Sequence, residues 1–328
     1  MARLAFVSRF HSPLRLALAT AFSLGCAAAD AKGDDAWVGC RAADPDKRIV
    51  SCGEVIARGD KEAKQNRVAA HVNRGGAYHA KGDFDRALAD FDKALEIDPN
   101  SAAALADRAA AYRAKGDLDR AIADYDRAIA AQPKSAAAYL GRGGVFQGKG
   151  DLDKAVADYD KALELDKKSI AALTNRGRAF RAKGDLDRAL ADFDAALALE
   201  PKSAQAYLNR AALYQAKGDL DHALADYDKA IAQDGRLAIA YNNRGLTLHA
   251  KGDFDRAAAD FSKAVAIDPK YARAFLNRAN AYRGKRELDH AKADLEQALT
   301  LDPNLAAARK ALDEVTKQLA ARAAAPAQ

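Results

Sequence analysis

A motif that returns every thirty-four residues constrains this chain more than any other feature. Lys-Gly-Asp-Phe-Asp begins at Lys81. Lys-Gly-Asp-Leu-Asp begins at Lys115, Lys149, Lys183 and Lys217, the Phe form returns at Lys251, and a degenerate Lys-Arg-Glu-Leu-Asp begins at Lys285. A segment this short cannot bury a core alone, so its copies must stack and share one. Counted from Val68, the repeat divides into 68–101, 102–135, 136–169, 170–203, 204–237, 238–271 and 272–305, here units one to seven. A length of 328 residues would suggest about two compact domains in an ordinary chain. A stacked array is exempt, because each unit packs only on its neighbours.

Each unit reads as two helices. Ala, Leu and charged residues dominate, and these are good helix formers. The first helix ends near the motif Gly, which can take the left-handed conformation that closes a helix. Asp83, Asp117, Asp151, Asp185, Asp219 and Asp253 then stand where an N-cap is wanted. A second Asp, from Asp85 to Asp289, falls in the first turn, where negative charge is favourable. The second helix stops at Pro99, Pro133, Pro201, Pro269 or Pro303, with Lys167 and Gly235 in two units. The eighth residue of every unit is Gly or Ala: Gly75, Ala109, Gly143, Gly177, Ala211, Gly245 and Ala279. Ala87 and Ala94 have equivalents in every unit, so helix axes can approach closely. Tyr78, Tyr112, Phe146, Phe180, Tyr214, Leu248 and Tyr282, set against Phe91, Tyr125, Tyr159, Phe193, Tyr227, Phe261 and Leu295, fill the remaining space.

This order of small residue, aromatic, Gly-Asp, Ala, aromatic, Ala and Pro resembles the tetratricopeptide repeat. The resemblance covers 68–305 in seven consecutive, in-register units. It implies an all-α, right-handed superhelical solenoid with a concave groove lined by the first helices, and a role in binding other proteins. The seventh unit departs most, with Arg286 for Gly and Leu295 for the aromatic.

The flanks read as a leader and two caps. Residues 1–15 are basic and free of acids, Leu16 to Ala29 form an apolar run, and small residues follow. This is the layout of a cleavable export signal over residues 1–29, so the expected location is periplasmic or secreted. A transit peptide would be amphipathic, and a lipid attachment at Cys26 would want its Leu one place earlier. The run is too short to span a membrane comfortably. Residues 30–67 form an N-terminal cap segment, with a short helix over 46–58. Cys40 and Cys52 pair as a disulfide in an exported chain; in a reducing compartment they would be free thiols. Residues 306–320 form an amphipathic capping helix, and 321–328 read as a disordered tail.

Charge excludes some functions. The net charge is +6, but half of it comes from Arg3, Arg9 and Arg15 in the acid-free leader. What remains is no nucleic-acid footprint. His residues are scattered over different offsets, the Asp-x-Asp runs lack the Gly and Glu of a calcium loop, and no catalytic constellation or cofactor site emerges. No metal site and no enzyme activity are expected.

The candidate binding residues lie on the first helices. Asn73, Asn175, Asn209, Asn243 and Asn277 share one offset, broken by Asp107 and Gly141. An Asn amide both donates and accepts, so it complements a peptide backbone without reading side chains. In the resembled family this offset often faces the groove. The alternative is that these amides bond within the solenoid. His79, Arg113, Gln147, Arg181, Gln215, His249 and Arg283 line the same expected groove, with Arg178 and Arg273 nearby. Arg113, Arg181 and Arg283 would bias it toward acidic segments. The offset that carries Lys in clamps for C-terminal carboxylates holds Val72, Ala106, Leu140, Thr174, Leu208 and Leu276, so no such clamp is expected. Arg74 and its equivalents to Arg278 each precede an Asp by sixteen residues, which suits an ion pair across the hairpin; a ladder facing ligand is the alternative. The repeated Lys suits the C-terminus of the first helix. The leading expectation is a non-enzymatic scaffold that binds an extended polypeptide. The alternative is a binder of nucleic acid or another anionic polymer.

Overall fold

The computed structural model describes residues 34–324; the leader and Cys26 lie outside them. Local chemistry sets the helix ends. The Oδ1 atoms of Asp83, Asp117, Asp185, Asp219 and Asp253 accept the backbone N–H three residues on, at 3.1–3.2 Å. Ser101, Ser135, Ser169 and Ser203 cap the first helices of units two to five in the same way. Gly82, Gly116, Gly150, Gly184, Gly218 and Gly252 close the first helices at φ between 78° and 87°. In unit seven Arg286 holds that conformation at φ 64°, where an L side chain is strained.

The helices run in pairs. α1 (Asp35–Cys40) and α2 (Pro45–Ala57) precede a short turn, and α3 (Lys64–Ala80) and α4 (Phe84–Ile97) form the first pair. Then come α5 (Ala102–Ala114) and α6 (Leu118–Ala131), α7 (Ala136–Lys149) and α8 (Leu152–Leu165), and α9 (Ile170–Lys183) and α10 (Leu186–Leu199). α11 (Ala204–Lys217) and α12 (Leu220–Gln233), α13 (Ala238–Ala250) and α14 (Phe254–Ile267), and α15 (Ala272–Gly284) and α16 (Leu288–Leu301) complete the array, and α17 (Ala306–Ala324) closes it. No strand occurs among the described residues. The architecture is an α-solenoid. α1 was not foreseen from the sequence, and α17 runs four residues past the expected end through the helix-favouring Ala-Arg-Ala-Ala.

Small residues set the spacing. A Cβ on Gly75, Gly143, Gly177 or Gly245 would lie within 2.6–2.8 Å of the ring of Phe91, Tyr159, Phe193 or Phe261. Those rings, and Ala87, Ala155, Ala189 and Ala257 beside them, are fully buried. Of their counterparts on the first helices, Phe180 and Leu248 are buried and the rest half-buried; guanidinium groups cover Tyr78, Tyr112 and Phe180 at 4.3–4.5 Å.

Ion pairs fix the register. Arg176 Nε and Nη2 donate to both carboxylate oxygens of Asp192, sixteen residues on, at 2.9 and 2.7 Å. Its Nη1 donates at 2.6 Å to Asp160, sixteen residues back in the preceding unit. Arg108, Arg142, Arg210 and Arg244 do the same. The expected pair across the hairpin is therefore present, joined to a link between units that the sequence reading missed. Each repeated Lys from Lys115 on also reaches back thirty residues. Lys149, Lys217 and Lys285 meet Asp119, Asp187 and Asp255 at 2.6–2.9 Å, and Lys115, Lys183 and Lys251 meet Asp85, Asp153 and Asp221. These lysines bridge units as well as sitting at a helix end.

The front cap imitates a preceding unit. A disulfide joins Cys40 and Cys52. Both lie buried with Trp37, Val55 and Ala70, and Lys81 reaches Asp46 in α2. Successive first helices touch one another, whereas successive second helices scarcely do. The first helices therefore line the inner, concave side.

Candidate functional site

The concave face carries the polar series read from the sequence, but its members differ in what they touch. Asn73 donates to Cys40 Sγ at 3.9 Å and belongs to the seam with the front cap. Asn277 Nδ2 donates to Asn242 Oδ1 at 2.8 Å, and Asn242 Nδ2 donates to Asn243 Oδ1 at 3.1 Å. Asn243 and Asn277 thus close an amide chain between units six and seven, through a neighbour the sequence reading had not singled out. Asn175 makes no side-chain hydrogen bond among the described residues. Asn209 is 9% exposed; its Oδ1 accepts from Gln205 at 3.3 Å, while its Nδ2 is buried without a partner.

The break in the series has a steric cause. Cβ at Gly141 would fall 2.5 Å from the hydroxyl of Tyr125, whose ring occupies the space an Asn would need. Asp107 acts on the same Tyr125 hydroxyl, as does Arg113, but has no ion pair among the described residues. Burial pushes its carboxyl up to about 6.

The arginines divide likewise. Arg283 donates to Glu314 of α17 at 2.7 Å and to Asn280 at 3.3 Å, so the rear cap neutralises it. Arg113 lies across the adjacent unit, its Nη1 2.8 Å from where a Gly144 Cβ would stand. Arg178 and Arg181, one turn apart on α9, have no acidic partner among the described residues. Burial and the neighbouring Arg178 push Arg181 down from its ordinary value. Tyr159 donates to Gln147 Oε1 at 2.7 Å and Tyr227 to Gln215 Oε1 at 2.9 Å. Each bond occupies a glutamine's oxygen and leaves its NH2 group without a hydrogen-bond partner among the described residues. His79 is half-buried against Phe84, and burial pushes it down.

The Arg74 to Arg278 row is held by Asp carboxylates and forms no ladder toward the groove. The Asp-x-Asp runs serve as caps and inter-unit partners. Among the described residues no three His, Cys, Asp or Glu side chains gather to share a metal ion. None of the described helices is long and apolar enough to cross a membrane. The Ser caps and the backward Lys–Asp pairs escaped the sequence reading. A Ser two residues after the first four breakers, and an Asp thirty before each Lys from Lys115 on, were the available signals.

Family models bear on this chain directly. Tetratricopeptide repeat models match residues 68–101, 238–271 and 272–305, and 106–170, and a TPR repeat model matches 177–218 and 213–252. No curated protein matches the sequence. A tetratricopeptide repeat protein from Parabacteroides merdae superposes with a TM-score of 0.60 at 23% identity, over 76% of this chain and 98% of that one. A chain of the APC/C hetero-tetramer Cut9–Hcn1 gives 0.64 at 15% identity, over 83% of this chain and 52% of that one. PilF of Pseudomonas aeruginosa gives 0.57 at 22%, over 63% and 95%. At these identities the likeness is one of fold.

Proposed function

The chain belongs to the tetratricopeptide repeat family, and from that premise we propose that it is a non-enzymatic scaffold holding an extended segment of a partner protein against its concave face. One observation carries the reading. The first helices present polar groups whose hydrogen bonds the solenoid leaves unmade, the side chain of Asn175 and the NH2 groups of Gln147 and Gln215, with the partnerless Nδ2 of Asn209 buried behind them. A backbone advancing about 3.3 Å per residue passes helices about 10 Å apart, so one amide meets roughly every third residue. Asn243 and Asn277, already joined through Asn242, act as a spacer at the far end of this row.

We place the working protein in an exported compartment, on the strength of the leader-like residues 1–29 and the buried Cys40–Cys52 disulfide. The polyanion alternative is weaker, because the Arg row from Arg74 to Arg278 is occupied by its own carboxylates.

Affinity capture from the envelope of the source cell tests the reading. Asn175→Ala with Asn209→Ala should reduce the captured partner while thermal melting stays near that of the parent. Capture at the parental level by this variant would remove the amide row from the account.

A further inference from the structure

Most arginines of the array have an acid or a backbone carbonyl opposite them. Arg236, Arg273 and Arg286 lack one but stand exposed to solvent. Arg113, Arg178 and Arg181 also lack one among the described residues, are partly buried, and follow one another along the concave face of units two to four. Arg113 reaches over Gly144 toward unit three. Arg178 and Arg181 project from one helix turn of unit four. The positive charges of Arg113 and Arg178 both act on Tyr159, whose hydroxyl is already bound to Gln147 and neutralises neither. The other unmade bonds here are of one kind. Gln147 and Gln215 have their oxygens occupied and their NH2 groups left over. Asn209, beneath that surface, has its oxygen occupied by Gln205 and its Nδ2 buried without an acceptor. This stretch of groove is rich in donors and positive charge, and nearly without acceptors.

Such a surface does not suit a generic peptide, which brings as many N–H donors as C=O acceptors. It suits a ligand with surplus acceptors and negative charge. We propose that units two to five form a seat for an extended acidic polypeptide segment, with carboxylates about three or more residues apart gripped by Arg113 with Arg178 and by Arg181. The spacing follows from the two grips. Arg113 and Arg178 act together over Tyr159 of unit three, and Arg181 lies beyond them toward Tyr227 of unit five, at least about one helix–helix distance of 10 Å, or about three or more residues of extended chain. Asp107 at the front edge repels a carboxylate and fixes where the acidic run begins. The proposal deepens the groove-binding reading and rests on it.

The unliganded protein pays for this arrangement in like-charge contact. Arg181 is depressed by burial and by Arg178, with no counter-ion to relieve it. Structural arginines and ligand-binding arginines therefore predict opposite responses to removal.

Fluorescence anisotropy on the full chain decides the matter, using a labelled twelve-residue peptide with Asp at every third position. Its Asn-substituted counterpart and a thymidine oligonucleotide of equal charge serve as comparisons. The acidic peptide should bind at least about tenfold more tightly than the Asn peptide. R178Q with R181Q should weaken it roughly tenfold or more while the melting temperature holds or rises, and R113Q should weaken it too. Lys134→Gln, Lys168→Gln and Lys202→Gln together remove equal or greater charge from exposed turns and should leave binding nearly unchanged. Equal binding of the acidic and Asn peptides overturns the seat and leaves the groove reading standing. Failure of every peptide to bind also overturns it; the Asn175 and Asn209 capture experiment then judges the groove separately. A fall of several degrees in melting on removing Arg178 and Arg181 assigns them to structure. Tighter binding of the oligonucleotide, steeply weakened by salt, assigns the face to nucleic acid instead.

Discussion

The concave faces of units two to five and of units six and seven rest on the same scaffold but treat their polar side chains differently. In the rear units, Asn277, Asn242 and Asn243 bond to one another, and Glu314 of α17 meets Arg283. In the forward units, Arg113, Arg178, Arg181 and Asn209 are left with unmade interactions. The rear is locally the less regular region: Leu237 and Tyr271 stand where Ser caps the earlier first helices, Ser262 replaces the Asp that earlier arginines reach, and Arg286 takes the place of Gly. Regular sequence and self-satisfied polar groups therefore do not go together here. The regular stretch is where the fold has stability in hand, and it is also where polar groups can be left for a ligand.

Two arginines on one helix give the sharpest way to break this comparison. Arg176 serves two aspartates, and Asp192 is only 4% exposed. Arg176→Ala should cost about 3–5 kcal/mol in urea unfolding, because a buried carboxylate is left unpaired. Arg178→Gln, two residues away, should cost nothing measurable. Similar losses at both positions would erase the distinction between structural and free arginines.

Asp107 offers a smaller effect with a pH signature. Burial raises its carboxyl to about 6, so the fold favours the protonated form. Its contribution is full below the ordinary carboxylate range and is lost as pH rises through about 6. Asp107→Asn should therefore be more stable than the parent at pH 7, by up to about 3 kcal/mol, with the gap closing near pH 4. Urea melts at the two pH values check this; a gap independent of pH would mean that Asp107 is solvated or paired.

The smallest effect concerns the rear turn. Arg286→Gly should stabilise unit seven by about 1 kcal/mol or less, since the relief of left-handed strain is partly offset by the flexibility of Gly. Gly184→Arg, the converse change in unit four, should destabilise by a comparable amount. Hydrogen exchange on the neighbouring helices reads both.

The sequence made the array plain because its signals are local or repeat at fixed spacing. The Gly-Asp turns, the buried Ala positions and the Arg–Asp pair sixteen apart all lie within one unit and could be read from one copy. The second partner of each Arg from Arg108 on, and the Asp thirty residues before each Lys from Lys115 on, lie in the preceding copy. They become visible only when two units are laid side by side. The fate of the Asn series was harder still. Whether Asn243 faces a ligand depends on Asn242 beside it, and whether Arg283 is free depends on Glu314 in a helix outside the repeat. The gap at Gly141 follows from the lean of a single ring, Tyr125, which no spacing reveals. A repeat states its scaffold seven times and its individual contacts once.

The backward-reaching charges have a consequence for how such a chain can change length. Every block brings the cations that fasten it to the block before and the anions that will receive the block after. A duplicated block thus arrives with both halves of its joint already matched, and an excised one leaves two faces that fit each other. Growth or shortening of the rod needs no new interface to be invented, and the terminal pieces alone must stay where they are.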